Sequence, residues 1–376
     1  MTIKNVKDVN IPIMNNRTRI INTVLMKDID RQPFFFFFGP WSETLQNWKI
    51  QGLPQDSEWD CEIDFDPGIR MINVDLGYLP AFTPEVIEER ETTLVIRDDR
   101  GILQETRKVG SSIPNFIDYP VKDRESWETL KKERLDPNDP NRFPENWDEL
   151  ADEYNTGDHA MQIGSYPYGL FGSLRDMMGV ETLLVSFYDD PELIHEMMEY
   201  LTDFWLKIYE KVCSMVKIDI IHMWEDMSGK TGSLISPAMV REFMMPHYKK
   251  IRKFADDHNI PIFSLDTDGN CEELVPLFLE CGINLIFPFE VAAGSDILEY
   301  RRRYPNLCIM GGIDKREISK GPHALEKELD RIDSMFNSPG YIPSIDHLFP
   351  PEVTYTDFKD FSVAIKKRID KYKGLT

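Results

Sequence analysis

The sequence predicts a single (β/α)8 barrel, and three observations support this prediction. The first is a run of five phenylalanines at positions 34–38, followed by Gly39 and Pro40, which is typical of a strand buried on both faces. The second is that similar apolar runs recur along the 376 residues until eight can be counted. The third is that helical patterns separate most of these runs. Alternating strands and helices imply parallel strands with right-handed crossovers, and eight such units suggest a closed barrel.

The eight predicted strands are short apolar runs bounded by polar or turn-forming residues. In chain order they occupy residues 34–38, 70–76, 161–164, 218–223, 261–265, 285–287, 307–311 and 341–344. Apolar residues at helical spacing, caps, and glycine or proline signals predict helices at 191–216, 236–258, 271–281, 323–336 and 357–373. We therefore expect one barrel domain over residues 1–376.

Residues 83–147 interrupt the alternation of strands and helices after the second predicted strand. Two β-rich runs, 92–98 and 101–109, flank Asp98-Asp99-Arg100-Gly101, which predicts a hairpin. The stretch 125–146 is charged and contains prolines. We interpret 83–147 as an insertion over or beside the mouth of the barrel.

The composition disfavours some classes of binding partner. The net charge is −22, from 43 basic and 65 acidic residues, and such a surface repels nucleic acid and anionic lipid. No apolar stretch approaches the ~20 residues of a membrane span. The five cysteines form no Cys-x-x-Cys pair, and no secretory signal opens the chain, so we expect a cytoplasmic protein acting on a small molecule.

In a barrel of this kind, catalytic residues follow the strands. After the fourth predicted strand come Glu225 and Asp226, which suit acid–base chemistry or cation binding, or alternatively form a solvated or helix-capping loop. After the fifth come Asp266 and Asp268, in a segment that resembles the start of an EF-hand loop but lacks its glutamate. They are either projecting carboxylates or part of a turn.

Three further strand ends carry candidate residues. Gly311 and Gly312 let a ligand approach the backbone or simply make a tight turn. His347 lies between prolines, which favours a fixed ring for proton transfer, ligand binding or metal binding, although it can also be a structural tether. Asp75, with nearby Tyr78, is a weaker substrate-binding candidate.

Taken together, these segments resemble the uroporphyrinogen decarboxylase superfamily over nearly the whole chain. The resemblance is carried by Ser236-Pro237 with Phe243 and Pro246-His247-Tyr248, by residues 266–270 (Asp-Thr-Asp-Gly-Asn), by residues 310–314 (Met-Gly-Gly-Ile-Asp) and by residues 340–351. That superfamily contains porphyrin decarboxylases and barrel methyltransferases that work with corrinoid proteins.

The resemblance to the decarboxylases places Asp75 near their pyrrole-binding aspartate and His347 near their functional histidine. Their arginine-rich signature after the first strand is replaced here by Gly39-Pro40-Trp41-Ser42-Glu43. A substrate with several carboxylates needs cations, so this difference weighs against porphyrin binding. Trp41 and the phenylalanine run are instead expected to form an apolar wall of the substrate site.

The methyltransferase branch carries a His-x-Cys-Gly-Asn zinc motif, which reads Asp266-Thr-Asp268-Gly-Asn here. A metal held by Asp266, Asp268 and His347 would be a hard, loosely bound ion rather than a thiolate zinc site. The resemblance therefore implies no tightly bound cofactor. It implies methyl transfer between a corrinoid protein and tetrahydrofolate or a similar acceptor, with Asp226, Asp268 and His347 as catalytic residues.

Two alternatives stay open at this point. One is decarboxylation of uroporphyrinogen, with Asp75 and His347 in the family roles. The other is a non-catalytic protein that binds a tetrapyrrole or corrinoid. A homodimer is compatible with all three hypotheses: methyl transfer, decarboxylation and non-catalytic binding.

Overall fold

The computed structural model describes residues 13–109 and 113–373. Its centre is a parallel sheet of seven strands in the order β1-β6-β7-β10-β11-β12-β13. These strands are β1 (Ile69–Met71), β6 (Ala160–Ile163), β7 (Ile220–Trp224), β10 (Ile262–Asp266), β11 (Leu285–Phe287), β12 (Cys308–Met310) and β13 (Tyr341–Ile342). After β7, the two short strands β8 (Ser228–Gly229) and β9 (Gly232–Ser233) form a separate antiparallel pair. Seven of the eight predicted strands are thus confirmed, with ends shifted by a few residues. The sheet curls as in a (β/α) barrel.

Helices connect the parallel strands. They are α1 (Asn16–Val24), α2 (Ser42–Ile50), α3 (Arg124–Arg134), α4 (Trp147–Thr156), α5 (Leu170–Met178), α6 (Val180–Asp189), α7 (Pro191–Cys213), α8 (Pro237–Met239), α9 (Met245–Asp257), α10 (Val275–Glu280), α11 (Ile297–Arg303), α12 (Lys315–Ile318), α13 (Pro322–Arg331) and α14 (Tyr355–Lys371). A π-helical turn, Val240–Met244, joins α8 to α9. Within the described residues, no helix combines the length and apolar character needed to cross a bilayer.

The interior of the curled sheet is filled by alternate strand residues. Ile220, Ile262 and Leu285 lie on neighbouring strands in one buried apolar cluster, to which α1 contributes Ile20 and Val24. Phe287 belongs to the same cluster and lies one inward position further along β11. The residues between them on each strand pack outward against the helices. This alternation sets the next inward residues of β7 and β10 at the carboxyl end of the sheet.

The structure corrects the prediction that residues 34–38 form the first strand of the sheet. Residues 34–38 form no ladder with another strand, although their phenylalanine rings are buried or half-buried. The segment lies in the gap between the two edge strands. At one end, Phe34 exchanges backbone and side-chain hydrogen bonds with Asp66, just before β1. At the other end, Pro40 forms an isolated parallel bridge with Phe349, after β13. The apolar run correctly predicted that this segment is buried. Aromatic packing, however, rather than a hydrogen-bonded ladder, holds the segment in place.

The interval 83–147 contains a four-stranded antiparallel sheet, in the order β2-β3-β4-β5. Its strands are β2 (Glu85–Glu89), β3 (Thr93–Arg97), β4 (Leu103–Arg107) and β5 (Asn115–Asp118). The predicted hairpin at Asp98–Gly101 joins β3 and β4, with Gly101 at φ +82. The sequence did not reveal β2 and β5, whose residues are exposed. That the interval is an insertion stays a prediction.

Candidate active site

Four carboxyl groups gather where neighbouring strands of the parallel sheet end. Asp226 follows β7, Asp266 ends β10, Asp268 follows β10, and Glu290 follows β11. We call these four residues the acidic cluster. Their mutual electrostatic influence shows in the pKa of Asp268, which is raised first by burial and then by Asp226 and Glu290. The predicted residues Asp226, Asp266 and Asp268 are therefore brought together, as the strand-end rule requires.

Register between β7 and β10 sets the position of Asp226. Trp224 pairs with Asp266 across the ladder. Just beyond, the Glu225 N–H donates to the Asp266 carbonyl over 2.8 Å. The chain then turns at Asp226, which adopts φ +39. A non-glycine residue in this left-handed region costs about 1 kcal/mol or more and persists only where its surroundings impose it. Such strain is often found at functional sites.

Burial and like charge both raise the pKa values of Asp226, Asp266 and Asp268. For Asp266, burial raises the pKa well above its usual value, and the nearby carboxylates of Asp268, Asp226 and Glu290 add to the effect. For Asp268, burial and its acidic neighbours raise the pKa to about 7, against the opposing effect of Lys315 and Arg175. The cluster therefore carries bound protons near neutral pH and can release or take them up.

His347 lies beside this cluster with an uncharged ring. Its Nε2 is 3.4 Å from Asp268 Oδ2. Burial, followed by the charge of Lys315, lowers its pKa to about 4. The Phe38 ring centroid is 5.2 Å from the imidazole and that of Trp41 is 6.4 Å away. The expected apolar wall from the phenylalanine segment and Trp41 is thus placed against His347.

Two cations contact the cluster, and both are already paired with carboxylates. Arg175, on α5, forms an ion pair with Asp226 and also donates to its carbonyl. Lys315 Nζ lies 3.4 Å from Glu290 Oε1. The charge of each cation is thus already offset by a carboxylate of the cluster, which leaves little net positive charge for a further anion. Anionic substrates are therefore disfavoured at this end of the sheet.

Glu225 does not face a substrate, contrary to expectation. Its side chain is completely buried and accepts hydrogen bonds from three backbone N–H groups at the start of α5, those of Leu170, Phe171 and Gly172. The Tyr248 hydroxyl donates a fourth, over 2.7 Å. A carboxylate at a helix N-terminus satisfies donors that lack helical partners. Glu225 thus fixes α5, the helix that carries Arg175, onto the end of β7.

Asp75 and Tyr78 lie in a separate cavity of about 730 Å³ at the ends of β1 and β6. Asp75 Oδ1 accepts from the Gly77 N–H over 2.7 Å and is 3.6 Å from the buried guanidinium of Arg142. The ring of Tyr166, which lines this cavity, packs edge-on against Trp224 at the end of β7. The predicted site residues therefore lie in two neighbouring sites, the acidic cluster and this cavity.

Packing explains the glycine pair after β12. Gly311 has φ +105, and a Cβ atom there would lie 2.3 Å from the Pro288 carbonyl oxygen. Gly312 has φ +76, and its Cβ would lie 2.1 Å from Cγ2 of Ile297. The tight turn, rather than close approach of a ligand, accounts for both residues.

The sequence reading missed three residues of the site: Glu290, Arg175 and Asp346. Glu290 follows a strand end, so the strand-end rule applied to β11 would have found it. Asp346 is fully buried and accepts from the backbone N–H groups of Val291 and Lys315, so it holds the loops beside Glu290 and Lys315. Arg175 lies on a helix, and only the folded chain brings it to Asp226.

Comparison with known proteins identifies the family of this chain. The family model described as uroporphyrinogen decarboxylase (URO-D) matches residues 110–368. The chain belongs to the uroporphyrinogen decarboxylase family. It is similar to a uroporphyrinogen decarboxylase from Rhodococcus jostii (strain RHA1), with 23% identity over 167 residues, which are 43% of each protein. The match thus spans less than half of that relative.

A solved structure supports the fold over almost the whole chain. A methyltransferase from Methanosarcina mazei superposes with a TM-score of 0.57 and 14% sequence identity, covering 96% of this chain and 99% of that one. At this identity the likeness shows a shared fold. The family assignment and the fold agree with the resemblance identified from the strand-end motifs.

The residues proposed as metal ligands do not form a ligand set in this family member. In the described part of the chain, no three His, Cys, Asp or Glu side chains are grouped so that they could hold a metal ion. His347 and Asp268 are close, but Asp266 does not complete a set with them. The metal site made of Asp266, Asp268 and His347 stays a prediction that the geometry does not favour.

Proposed function

We propose that this chain is a methyltransferase that moves a methyl group between a corrinoid protein and a small acceptor, tetrahydrofolate or a compound of similar reactivity. The observation that carries the proposal is the acidic cluster beside uncharged His347, because it can exchange protons near neutral pH. The fold shared with a methyltransferase is consistent with it. The reaction would take place in the cytoplasm.

Proton exchange is what transfer of a methyl group to nitrogen requires. The acceptor nitrogen attacks the methyl carbon, the carbon–cobalt bond breaks, and the bonding pair stays with cobalt. A nitrogen that begins with a proton must lose it, and the reverse reaction must supply one. Asp268, with a pKa of about 7, suits both directions. His347, 3.4 Å away, can accept a hydrogen bond from the protonated carboxyl group or from the acceptor.

The surroundings of these two residues suit the same reaction. Asp226, held by Arg175 in a strained turn, keeps a second carboxylate near Asp268 and helps to keep its pKa high. Phe38 and Trp41 offer apolar ring faces on the other side of His347. We expect the docked corrinoid protein to present its methyl group against this wall, where water is excluded.

Uroporphyrinogen decarboxylation is the second candidate, and it is the activity after which the family and the Rhodococcus relative are named. Two observations weigh against it. The cations at the acidic cluster are paired with carboxylates, and the segment after the phenylalanine run contains no arginine. A substrate with eight carboxylates would meet a site rich in negative charge. A non-catalytic binding protein is the third candidate and predicts binding without turnover.

One pair of assays separates these candidates. The chain is incubated anaerobically with methylcobalamin, as a stand-in for a methylated corrinoid protein, and with tetrahydrofolate, and both the change in cobalt absorbance and methylated product are measured. Turnover should fall in Asp268→Asn and persist in Asp152→Asn, a control on the exposed face of α4. Formation of coproporphyrinogen from uroporphyrinogen at an enzymatic rate would reject the proposal in favour of the second candidate.

A further inference from the structure

The cavity at the ends of β1 and β6 is large enough for a small organic molecule and is not part of the acidic cluster. Its volume is about 730 Å³, and it lies between the parallel sheet and the hairpin turn that carries Asp99 and Arg100. Cavities of this size that combine aromatic walls with a few polar groups are typical ligand sites. The chemistry of its walls therefore identifies the class of ligand.

Aromatic side chains form much of the cavity wall. Tyr78, Tyr166, Tyr168 and Trp205 all line it. Ring faces carry partial negative charge and attract cations. The protein already uses this attraction at the rim, where the Arg100 guanidinium lies over the Tyr166 ring at 5.4 Å from its centroid. The walls therefore suit a cationic ligand.

The charged groups of the cavity also favour a cationic ligand. Its lining contains three carboxyl groups, of Asp75, Asp99 and Asp176, and two guanidinium groups, of Arg100 and Arg142. Arg142 is fully buried and donates to backbone carbonyls, including that of Gly77. Arg100 pairs with Asp176 and with Asp98, outside the lining. Arg142 also lies 3.6 Å from Asp75 Oδ1, so each cation of the lining faces one of its carboxyl groups. The third carboxyl group, that of Asp99, leaves the lining with an excess of negative charge.

Asp75 supplies the carboxylate best placed for a ligand. More than a third of its side chain is exposed, at 36%. One oxygen, Oδ1, accepts from the Gly77 N–H. Among the described residues, the other oxygen accepts no hydrogen bond. It is therefore available to a ligand that carries positive charge.

We propose that this cavity binds a small organic cation, an alkylated amine or ammonium compound, through Asp75 and the ring faces of Tyr78 and Tyr168. This inference rests on the proposed methyl transfer and narrows its small-molecule partner to amines. The cavity adjoins the acidic cluster across α5, since Arg175 reaches Asp226 while the next residue, Asp176, lines the cavity.

The test is equilibrium binding of choline and of 3,3-dimethyl-1-butanol, which has the same shape but a carbon in place of the charged nitrogen. Titration calorimetry gives the affinities, and fluorescence of Trp205 in the cavity wall gives a second signal. Choline should bind at least about tenfold more tightly. Asp75→Asn should weaken choline binding about tenfold or more while leaving the binding of the neutral analogue unchanged.

Matched variants separate ring from hydroxyl effects. Tyr78→Leu should weaken choline binding, whereas Tyr78→Phe, which keeps the ring, should not. Tyr188→Leu, at a residue 76% exposed on α6, should leave binding unchanged. Melting temperatures of each variant show whether it is folded. Equal affinity for choline and its neutral analogue overturns the proposal, as does choline binding that survives both Asp75→Asn and Tyr78→Leu.

The outcome is independent of the methyl-transfer assay. Choline binding that depends on Asp75, in a protein that transfers no methyl group, would keep the cation site and reject the proposed function. Methyl transfer to tetrahydrofolate without selective choline binding would keep the function and reject the cation site.

Discussion

Replacing Glu225 by glutamine tests whether this buried carboxyl group links α5 to the acidic cluster. Its neighbours are four hydrogen-bond donors: the N–H groups of Leu170, Phe171 and Gly172 and the hydroxyl of Tyr248. A carboxyl oxygen pair can accept from all of them. At pH 8, where the carboxyl group is ionised, a glutamine would turn its own NH2 group toward these donors and leave some of them unsatisfied, so we expect a loss of about 2 kcal/mol in the free energy of unfolding.

The pH dependence of this loss follows from the pKa of Glu225. Burial raises it from the usual 4.5 to about 7, against the opposing effect of the four donors. Because the folded-state pKa is raised, the folded protein holds the proton more tightly, and the resulting stabilisation is complete below pH 4.5 and lost as the pH rises through 7. The difference corresponds to about 3 kcal/mol in full, and to about 2.5 kcal/mol between pH 5 and pH 8.

Urea unfolding of both proteins at pH 5 and pH 8 measures this difference directly. Titration of every other group is common to the two proteins, so it cancels in the comparison. The advantage of the wild type over Glu225→Gln should be larger at pH 5 by about 2.5 kcal/mol. Glu149→Gln, at an exposed position on α4, is the control and should show no such change. Parallel pH profiles for wild type and Glu225→Gln would refute the assignment of a raised pKa to Glu225.

Three further predictions concern the strand ends. His347→Ala should lower methyl-transfer turnover roughly 10²-fold with a melting temperature near that of the wild type, whereas normal turnover in a less stable protein would make His347 a structural tether. Asp268→Asn should remove the transition near pH 7 from the pH–rate profile, since burial and its acidic neighbours raise the pKa of Asp268 to about 7; an unchanged profile would exclude it as the titrating group. Gly269→Ala should destabilise the fold by about 2 kcal/mol or more, because its φ is +73 and the new Cβ would lie 2.6 Å from the carbonyl oxygens of Ser228 and Gly229. Gly294→Ala, with φ +89 but open space around it, should cost about 1 kcal/mol, and equal losses in thermal melts would contradict the packing argument.

The parallel strands could be predicted from sequence because each is a local apolar run. The run 285–287, for example, matches β11 residue for residue. The helix predicted from Pro191 begins there as α7 and ends at Cys213, because proline and a preceding aspartate form a strong local start signal. The exposed strands β2 and β5 were missed, since none of their residues is buried and they therefore lack the apolar run that marks a buried strand.

The candidate site was predictable to the extent that strand ends are local features. Asp226, Asp266, Asp268 and His347 each follow a buried run, so the barrel rule selected them. The same rule also selected Glu225, and it had no way to separate that residue from its neighbour. Adjacent residues at the end of a strand point to opposite sides, and in the folded chain Glu225 lies under α5 while Asp226 lies in the cluster.

The sequence by itself therefore determined the alternation of buried strands and helices, the family, and the strand ends at which polar residues occur, because hydrophobic periodicity and turn signals act over a few residues. Tertiary structure alone decided which of those residues meet. It separated Asp75 from the acidic cluster, paired Arg175 with Asp226, and packed the phenylalanine segment between the edge strands without a ladder. These outcomes depend on distances between residues far apart in the chain, and burial in the folded chain is also what raises the pKa values of Asp226, Asp266 and Asp268.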